Sequence, residues 1–187
     1  MITKTNDAKE HGKCMLNRRQ FLLYSGAGVA TTSTITLFSG TAQAQQAHVV
    51  NYPRKFIAKL SELKDHEPLN FNYPDDGKNA SCMLVKMGNV KAGGGVGPQR
   101  DVVAFGRVCT HQGGPLHGTY KVTGDQRTLG QCPFHLSVFD LRRHGIIVSG
   151  QAYQSLPQVL LELEGDEIYA VGMMGLLFGR NNNLING

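Results

Sequence analysis

The chain has 187 residues, which is room for one domain and a leader. Its formal net charge is +5, but residues 1–44 carry +3 of this charge and residues 45–187 only +2. The main part of the chain is therefore nearly balanced, and the basic isoelectric point gives no reason to expect nucleic-acid binding.

The N-terminal segment combines a basic pair, an apolar stretch and a cleavage sequence. Arg18-Arg19, within the sequence Asn17–Leu22, resembles a twin-arginine export motif, and Ala42-Gln43-Ala44 matches an A-x-A cleavage site. We expect residues 1–44 to be a twin-arginine signal peptide. The predicted location of the mature protein is the periplasm.

A retained membrane anchor is the alternative for this leader. The apolar segment Phe21–Phe38 is about 18 residues long, but its hydroxyls and glycines make it a poor spanning helix. No second candidate span follows it in the sequence. We expect cleavage after Ala44 and no membrane span in the mature form.

Residues 45–187 alternate short apolar runs with turn sequences, and this pattern predicts an all-β domain. The predicted strands are His48–Leu60, Leu69–Tyr73, Ser81–Met87, Asp101–Val108, Val159–Glu164 and Glu167–Val171. Turn sequences at Pro74–Gly77 and Gly165-Asp166 indicate hairpins, and a further hairpin is predicted within Gly118–Gly130.

Two segments outside these strands suggest contacts with other molecules. The glycine-rich run Ala92–Pro98 lacks the Lys-Ser/Thr of a phosphate-binding loop, so we interpret it as a mobile or partner-contacting loop. The tail, Gly172–Gly187, contains an apolar run whose exposure would suit a subunit contact. Cys82 lies in an apolar run and is expected to be a buried, inert thiol.

The residues that carry chemistry lie in two short segments, each with one cysteine and one histidine. The first contains Cys109 and His111, and the second contains Cys132 and His135. This C-x-H and C-x2-H pattern resembles the Rieske signature, which binds a [2Fe–2S] cluster with two cysteines on one iron and two histidines on the other. We therefore expect one cluster per chain.

A structural zinc site is the alternative use of two cysteines and two histidines. Zinc fingers usually pair cysteine with cysteine and histidine with histidine in the sequence. Here each segment mixes the two ligand types, which favours a two-metal cluster. The Rieske resemblance also implies an antiparallel base domain with an inserted cluster-binding subdomain, at about residues 106–146 of a Rieske domain spanning 45–187.

Rieske proteins of cytochrome bc-type complexes, which oxidise quinols, differ from this sequence at several positions. In that family a further cysteine in each loop forms a disulfide, but Gly114 and Phe134 stand at those positions here. The family's hydrogen-bonding serine is kept as Ser137, whereas its tyrosine is replaced by Phe139. By this resemblance Ser137 donates a hydrogen bond to the cluster, and the missing donor lowers the reduction potential.

Longer runs are similar to the small subunit of arsenite oxidase: residues 94–105, both ligand segments, and residues 150–158. This resemblance implies an electron-transfer subunit in a heterodimer with a molybdopterin large subunit that oxidises arsenite to arsenate. The acceptor would be a periplasmic cytochrome c or a cupredoxin. The resemblance implies no catalytic residue in this chain. The histidine edge would be the electron port, and Leu116, Phe134 and Leu136 would screen the cluster.

Overall fold

The computed structural model describes residues 51–184, and the predicted leader lies outside them. No α-helix occurs in this described part, whose regular elements are strands and two one-turn 3-10 helices. The strands are β1 Lys55–Lys59, β2 Leu69–Asn72, β3 Ser81–Lys86, β4 Val102–Gly106, β5 Tyr120–Thr123, β6 Gln126–Leu129, β7 Val138–Asp140, β8 Ile146–Ser149, β9 Gln158–Glu164 and β10 Glu167–Met174. The 3-10 helices are Leu60–Glu62 and Leu141–Arg143.

Six strands form the larger sheet, in the order β1-β10-β9-β4-β3-β2, and every pairing in it is antiparallel. The link between its two halves is short, because β4 and β9 pair only through Ala104 with Val159 and Phe105 with Gln158. The predicted hairpin of β9 and β10 is present and turns at Gly165-Asp166.

The other four strands form a separate antiparallel sheet in the order β5-β6-β7-β8. In the sequence this sheet lies between β4 and β9 of the larger one. The fold is therefore all-β, with a small antiparallel sheet inserted into an antiparallel base, as expected. The sequence boundaries 45–187 and 106–146 stay predictions.

Alternating side chains of β3 and β4 take part in two separate cores. Met83, Val85 and Phe105 belong to a core that includes Leu129 and Phe139 of the smaller sheet. The other faces of the same strands carry Cys82, Leu84 and Ala104, which pack with residues of β9 and β10. Because β3 and β4 are buried on both faces, they join the base to the smaller sheet and fix where the loops beyond β4 begin.

Strand ends differ from the predicted ones by a few residues. β1 begins at Lys55 because proline at position 53 cannot donate a ladder hydrogen bond. β10 continues to Met174, three residues past the predicted end, because it pairs with β9 along its whole length. No helix in the described residues is long and apolar enough to cross a membrane.

The tail is less exposed than expected. Met173 and Leu177 are buried in the base core, whereas Met174 and Leu176 are each 45% exposed. The prediction of an exposed apolar tail is therefore wrong for half of this run. The glycine-rich loop is likewise tied to the rest of the protein, since Gly93 N–H donates to Arg142 C=O and Gly93 C=O accepts from Gln158 Nε2.

Candidate metal-binding site

Two loops of the same backbone design carry the four candidate ligands. In the first, which follows β4, Cys109 N–H donates to Gly114 C=O and Cys109 C=O accepts from Gly113 N–H, at 2.9 and 3.0 Å. In the second, between β6 and β7, Cys132 N–H donates to Ser137 C=O and Cys132 C=O accepts from Leu136 N–H, both at 2.9 Å. Each loop thus closes on its own cysteine.

The residue four positions after each cysteine has a left-handed backbone. Gly113 has φ of +71° and Leu136 has φ of +59°. Glycine adopts this conformation freely, whereas leucine adopts it at a cost of about 1 kcal/mol or more. The two loops are therefore structural counterparts, although their sequences differ.

The loops bring the candidate ligands together by type. The Nδ1 atoms of His111 and His135 are 3.1 Å apart, with the two rings nearly perpendicular. The thiols of Cys109 and Cys132 are both buried and are neighbours. One imidazole pair and one thiol pair result, and each pair takes one member from each loop.

The Cys109 thiol needs a positive partner to ionise. Burial raises the pKa of Cys109, and the neighbouring Cys132 raises it further. The backbone N–H of His111 and the Ser137 hydroxyl oppose this shift by hydrogen bonding to Cys109. A metal cation bound by this thiol would supply the missing positive charge.

The two loops approach each other closely at Gly114. A Cβ atom added to Gly114 would lie 2.5 Å from Cys132 Sγ and 3.1 Å from the Phe134 ring. The Phe134 ring therefore packs against Gly114, at the two positions that bear the disulfide in bc-type proteins. All three cysteines in the described part of the chain are free thiols.

A third segment, residues 150–154, closes over the two loops. Ala152 N–H donates to Ser137 Oγ at 3.0 Å, and Thr110 Oγ1 donates to Gln154 C=O at 2.7 Å. Sequence reasoning assigned no local role to this segment. The glycine at position 150 was the sequence feature that could have indicated this contact. Its φ is +89°, and a side chain there would collide with the Ser137 backbone.

The side chains expected to screen the site take different positions. Leu116 is fully buried, as a screening residue should be. Phe134 and Leu136 are 55% and 59% exposed, because both project from the tip of the second loop. Ser137 is fully buried beside Cys109, where a hydrogen-bond donor to a bound group is needed.

The donor arrangement distinguishes a cluster from a single ion. Cys109 and Cys132 form a buried thiol pair, and His111 and His135 form a second pair through their imidazoles. A tetrahedral zinc site places all four donors around one ion. A thiol pair and an imidazole pair side by side instead suit a cluster of two irons, with one pair on each.

Comparisons with known proteins agree with this geometry. Residues 54–160 match the Rieske [2Fe-2S] domain. The chain is 51% identical over 168 residues to iodate reductase subunit IdrB of Pseudomonas sp. (strain SCT), covering 89% of this chain and 84% of the relative. It is also 51% identical over 181 residues to IdrB of Denitromonas iodatirespirans, covering 95% and 93%.

The fold is also similar to that of a solved structure. The soluble domain of Rieske protein II (soxF) from Sulfolobus acidocaldarius superposes with a TM-score of 0.58 at 25% identity, covering 70% of this chain and 82% of that one. The family match spans both candidate loops. The chain therefore belongs to the Rieske [2Fe-2S] domain family and has one [2Fe–2S] cluster as its cofactor.

Proposed function

We propose that this chain is the electron-transfer subunit of an exported oxidoreductase, and that its catalytic partner is an iodate reductase. In this proposal Cys109 and Cys132 bind one iron as thiolates, and His111 and His135 bind the other. The cluster supplies one-electron redox chemistry. The chain itself supplies the ligands, the buried setting and the docking surface.

The observation that carries the proposal is the pairing of ligands across two loops of equal backbone design. Each loop contributes one thiol and one imidazole, and the loops meet with the thiols buried and the imidazoles partly exposed. Such an asymmetric site has an insulated side and an accessible side. Electrons would leave or enter through the histidine side.

The surface around the two histidines suits a protein partner. Phe134, Leu136 and Tyr153 are 55%, 59% and 75% exposed, and all three belong to the segments that enclose the site. Exposed apolar and aromatic side chains of this size are typical of docking surfaces. A partner that covers them would exclude water from the path of the electron.

The identity of the partner is supported by the relatives. Two proteins 51% identical over most of their length are named iodate reductase subunits. Because those relatives are named as subunits of a larger enzyme, we propose that this chain forms a heterodimer with a molybdopterin large subunit. Iodate reduction needs several electrons, which a one-electron cluster delivers one at a time.

The small subunit of arsenite oxidase is the second candidate. It is favoured by the similarity of residues 94–105 and 150–158, the second of which lies over the proposed cluster site. In that enzyme electrons would flow from the large subunit to this chain, and then to a periplasmic cytochrome c or a cupredoxin. In an iodate reductase they would flow in the opposite direction.

A quinol-oxidising complex and a zinc-binding module have less support. The bc-type complex is disfavoured because Gly114 and Phe134 replace the disulfide cysteines and pack against each other instead. The non-redox zinc module is disfavoured because the donors form one thiol pair and one imidazole pair.

We also propose export to the periplasm by the twin-arginine route, with cleavage after Ala44. The basic pair Arg18-Arg19 and the A-x-A sequence support this proposal. Cell fractionation and N-terminal sequencing of the mature protein test it. A cytoplasmic protein that keeps its first 44 residues would contradict it.

The direction of electron flow provides the functional test. The chain is purified from its host together with whatever large subunit accompanies it, and the visible absorbance of the complex is followed anaerobically. We expect iodate to reoxidise the dithionite-reduced complex, and arsenite to leave the oxidised complex unchanged. Cluster reduction by arsenite, with no response to iodate, would instead support the arsenite oxidase candidate.

A matched control separates electron relay from direct reaction with the oxyanion. The isolated chain carries the cluster but lacks the large subunit, so iodate should reoxidise it far more slowly than it reoxidises the complex. Equal rates in the two preparations would contradict a relay role. A response of the complex to neither oxyanion would contradict both candidate activities.

A further inference from the structure

The C-terminal segment after β10 reaches the first ligand loop from the base. We call Gly175–Asn183 the C-terminal strap. Its Phe178 ring lies directly against Gly113, where an added Cβ atom would be 2.5 Å from Phe178 Cε1 and 2.8 Å from Cδ1. The strap therefore touches the corner of the loop that presents Cys109.

The Gly113 corner holds Cys109 in place through the backbone. Gly113 N–H donates to Cys109 C=O at 3.0 Å, and this bond depends on the left-handed conformation of Gly113. On the other side of the same loop, the Cys132 thiol sits against Gly114. The loop is thus clamped between the Phe178 ring and the second ligand thiol, with glycine at both contacts.

The strap is anchored firmly enough to act as a clamp. Arg180 makes a two-pronged ion pair with Asp75, with N–O distances of 2.7 and 2.9 Å, and its side chain is only 9% exposed. Phe178 C=O accepts from Asn79 Nδ2 at 2.8 Å. Asn183 Oδ1 accepts from Leu177 N–H at 2.9 Å, so the strap is closed on itself as well.

The two ligand loops differ in whether their left-handed corner is covered by another part of the protein. Leu136, the counterpart of Gly113, is 59% exposed at the tip of the second loop. Gly113 is covered by an aromatic ring that is fixed to the base. The same backbone turn is therefore covered by the Phe178 ring in the first loop and exposed to solvent in the second.

We propose that Phe178 is a positioning residue of the cluster site, which keeps the Cys109 loop closed and excludes water from its thiolate side. The inference rests on the proposed assignment of Cys109 as a ligand. Without the ring, the Gly113 corner can move outward and water can approach the buried thiol pair. Water near the thiolates stabilises the more negative, reduced form, so the reduction potential should rise.

The test compares Phe178→Ala with Leu176→Ala in the complete mature protein. Leu176 is a matched control because it lies two residues away in the same strap and is 45% exposed. For Phe178→Ala we expect a higher midpoint potential. We also expect iron to be lost to a chelator on the order of tenfold faster, which corresponds to an activation barrier lower by about 1.4 kcal/mol. Leu176→Ala should match the wild type in both, and Phe178→Leu should recover most of the change.

The potential separates positioning from simple packing. A lower melting temperature in Phe178→Ala with an unchanged potential and an unchanged chelation rate would overturn the inference. If Phe178→Ala does not accumulate as folded protein, Phe178→Val decides, because valine is too short to cover the Gly113 corner; wild-type potential and chelation rate in that variant would also overturn the inference. A wild-type protein without a reduced-cluster signal would contradict the ligand assignment itself, which is a distinct and separately visible failure.

Discussion

At the scale of single residues, Ser137 is the side chain with the most direct influence on the site. It is fully buried, accepts from Ala152 N–H, and its hydroxyl opposes the rise in the pKa of the neighbouring Cys109. The same hydroxyl thus serves the thiol pair and fastens the third segment. Phe139, which stands at the position of the second donor of bc-type proteins, is fully buried and has no hydroxyl to offer.

Ser137→Ala should lower the reduction potential. The reduced cluster is the more negative form, so losing one hydrogen bond destabilises it more than the oxidised form. We expect a shift on the order of 60 mV, which corresponds to about 1.4 kcal/mol for one electron. Protein-film voltammetry measures it, with Ser149→Ala, at an exposed site on β8, as the control. An unchanged potential in Ser137→Ala would rule out this role.

Cys82 shows what a thiol outside the site does. It is fully buried in the base core, as predicted, and burial raises its pKa to about 12. Because the pKa is higher in the folded state, the protonated thiol contributes its full stabilisation at pH values below its pKa in the unfolded chain, about 8.5. That stabilisation is lost as the pH rises from there through about 12.

The wild type should therefore lose stability in alkali more steeply than Cys82→Ala. The difference in slope is at most about 1.4 kcal/mol per pH unit, the value for one proton. Apparent melting temperatures of both proteins, measured from about pH 7 to about pH 10, test this window. Parallel curves would mean that Cys82 ionises as easily in the folded protein as in the unfolded chain.

At the scale of elements, the packing of the two ligand loops depends on glycine as well as on the ligand residues. The Rieske resemblance implied that the ligands would pair by type, and the spacing agrees with it because one cysteine and one histidine close together can share a tight loop. The sequence did not show that Gly114 lies against the Cys132 thiol, since the two residues are far apart in the chain. Contacts of this kind depend on how separate loops pack.

Gly114→Ala should lower the amount of cluster that the purified protein contains. The new methyl group would occupy the space of Cys132 Sγ, and the backbone there cannot yield without moving Cys109. Gly118→Ala is the matched control, because nothing lies within 4 Å of its Cβ position and only its φ of +69° opposes the change, at about 1 kcal/mol. Iron content per protein is the measurement. Full iron occupancy in Gly114→Ala would contradict the packing described for the two loops.

The tip of the second loop can be altered without disturbing its fold. Leu136→Asn places a residue that tolerates a positive φ at a left-handed position while removing an exposed apolar side chain. We expect unchanged stability and potential but several-fold slower electron exchange with the large subunit, measured by stopped flow. Val122→Asn, at a 43% exposed site on β5, is the control. Equal slowing in both variants would argue against a docking role for Leu136.

At the scale of the whole molecule, the sequence predicted the all-β class and the paired hairpins because turn residues and apolar alternation are local signals. It did not predict that Met173 and Leu177 would be buried, or that residues 150–154 would cover the ligand loops. These features arise where the end of the chain returns to strands formed much earlier. The same is true of the strap, whose anchor joins Arg180 to Asp75.

The identity of the cofactor and its ligands is the claim on which the account depends. The most direct test is an EPR spectrum of the purified, dithionite-reduced mature protein, recorded with nitrogen hyperfine spectroscopy on the wild type and on Cys109→Ser. We expect a rhombic signal with two coupled histidine nitrogens in the wild type, and loss or marked change of that signal in the variant. An EPR-silent wild type that contains zinc, or an unaltered spectrum in Cys109→Ser, would contradict the assignment.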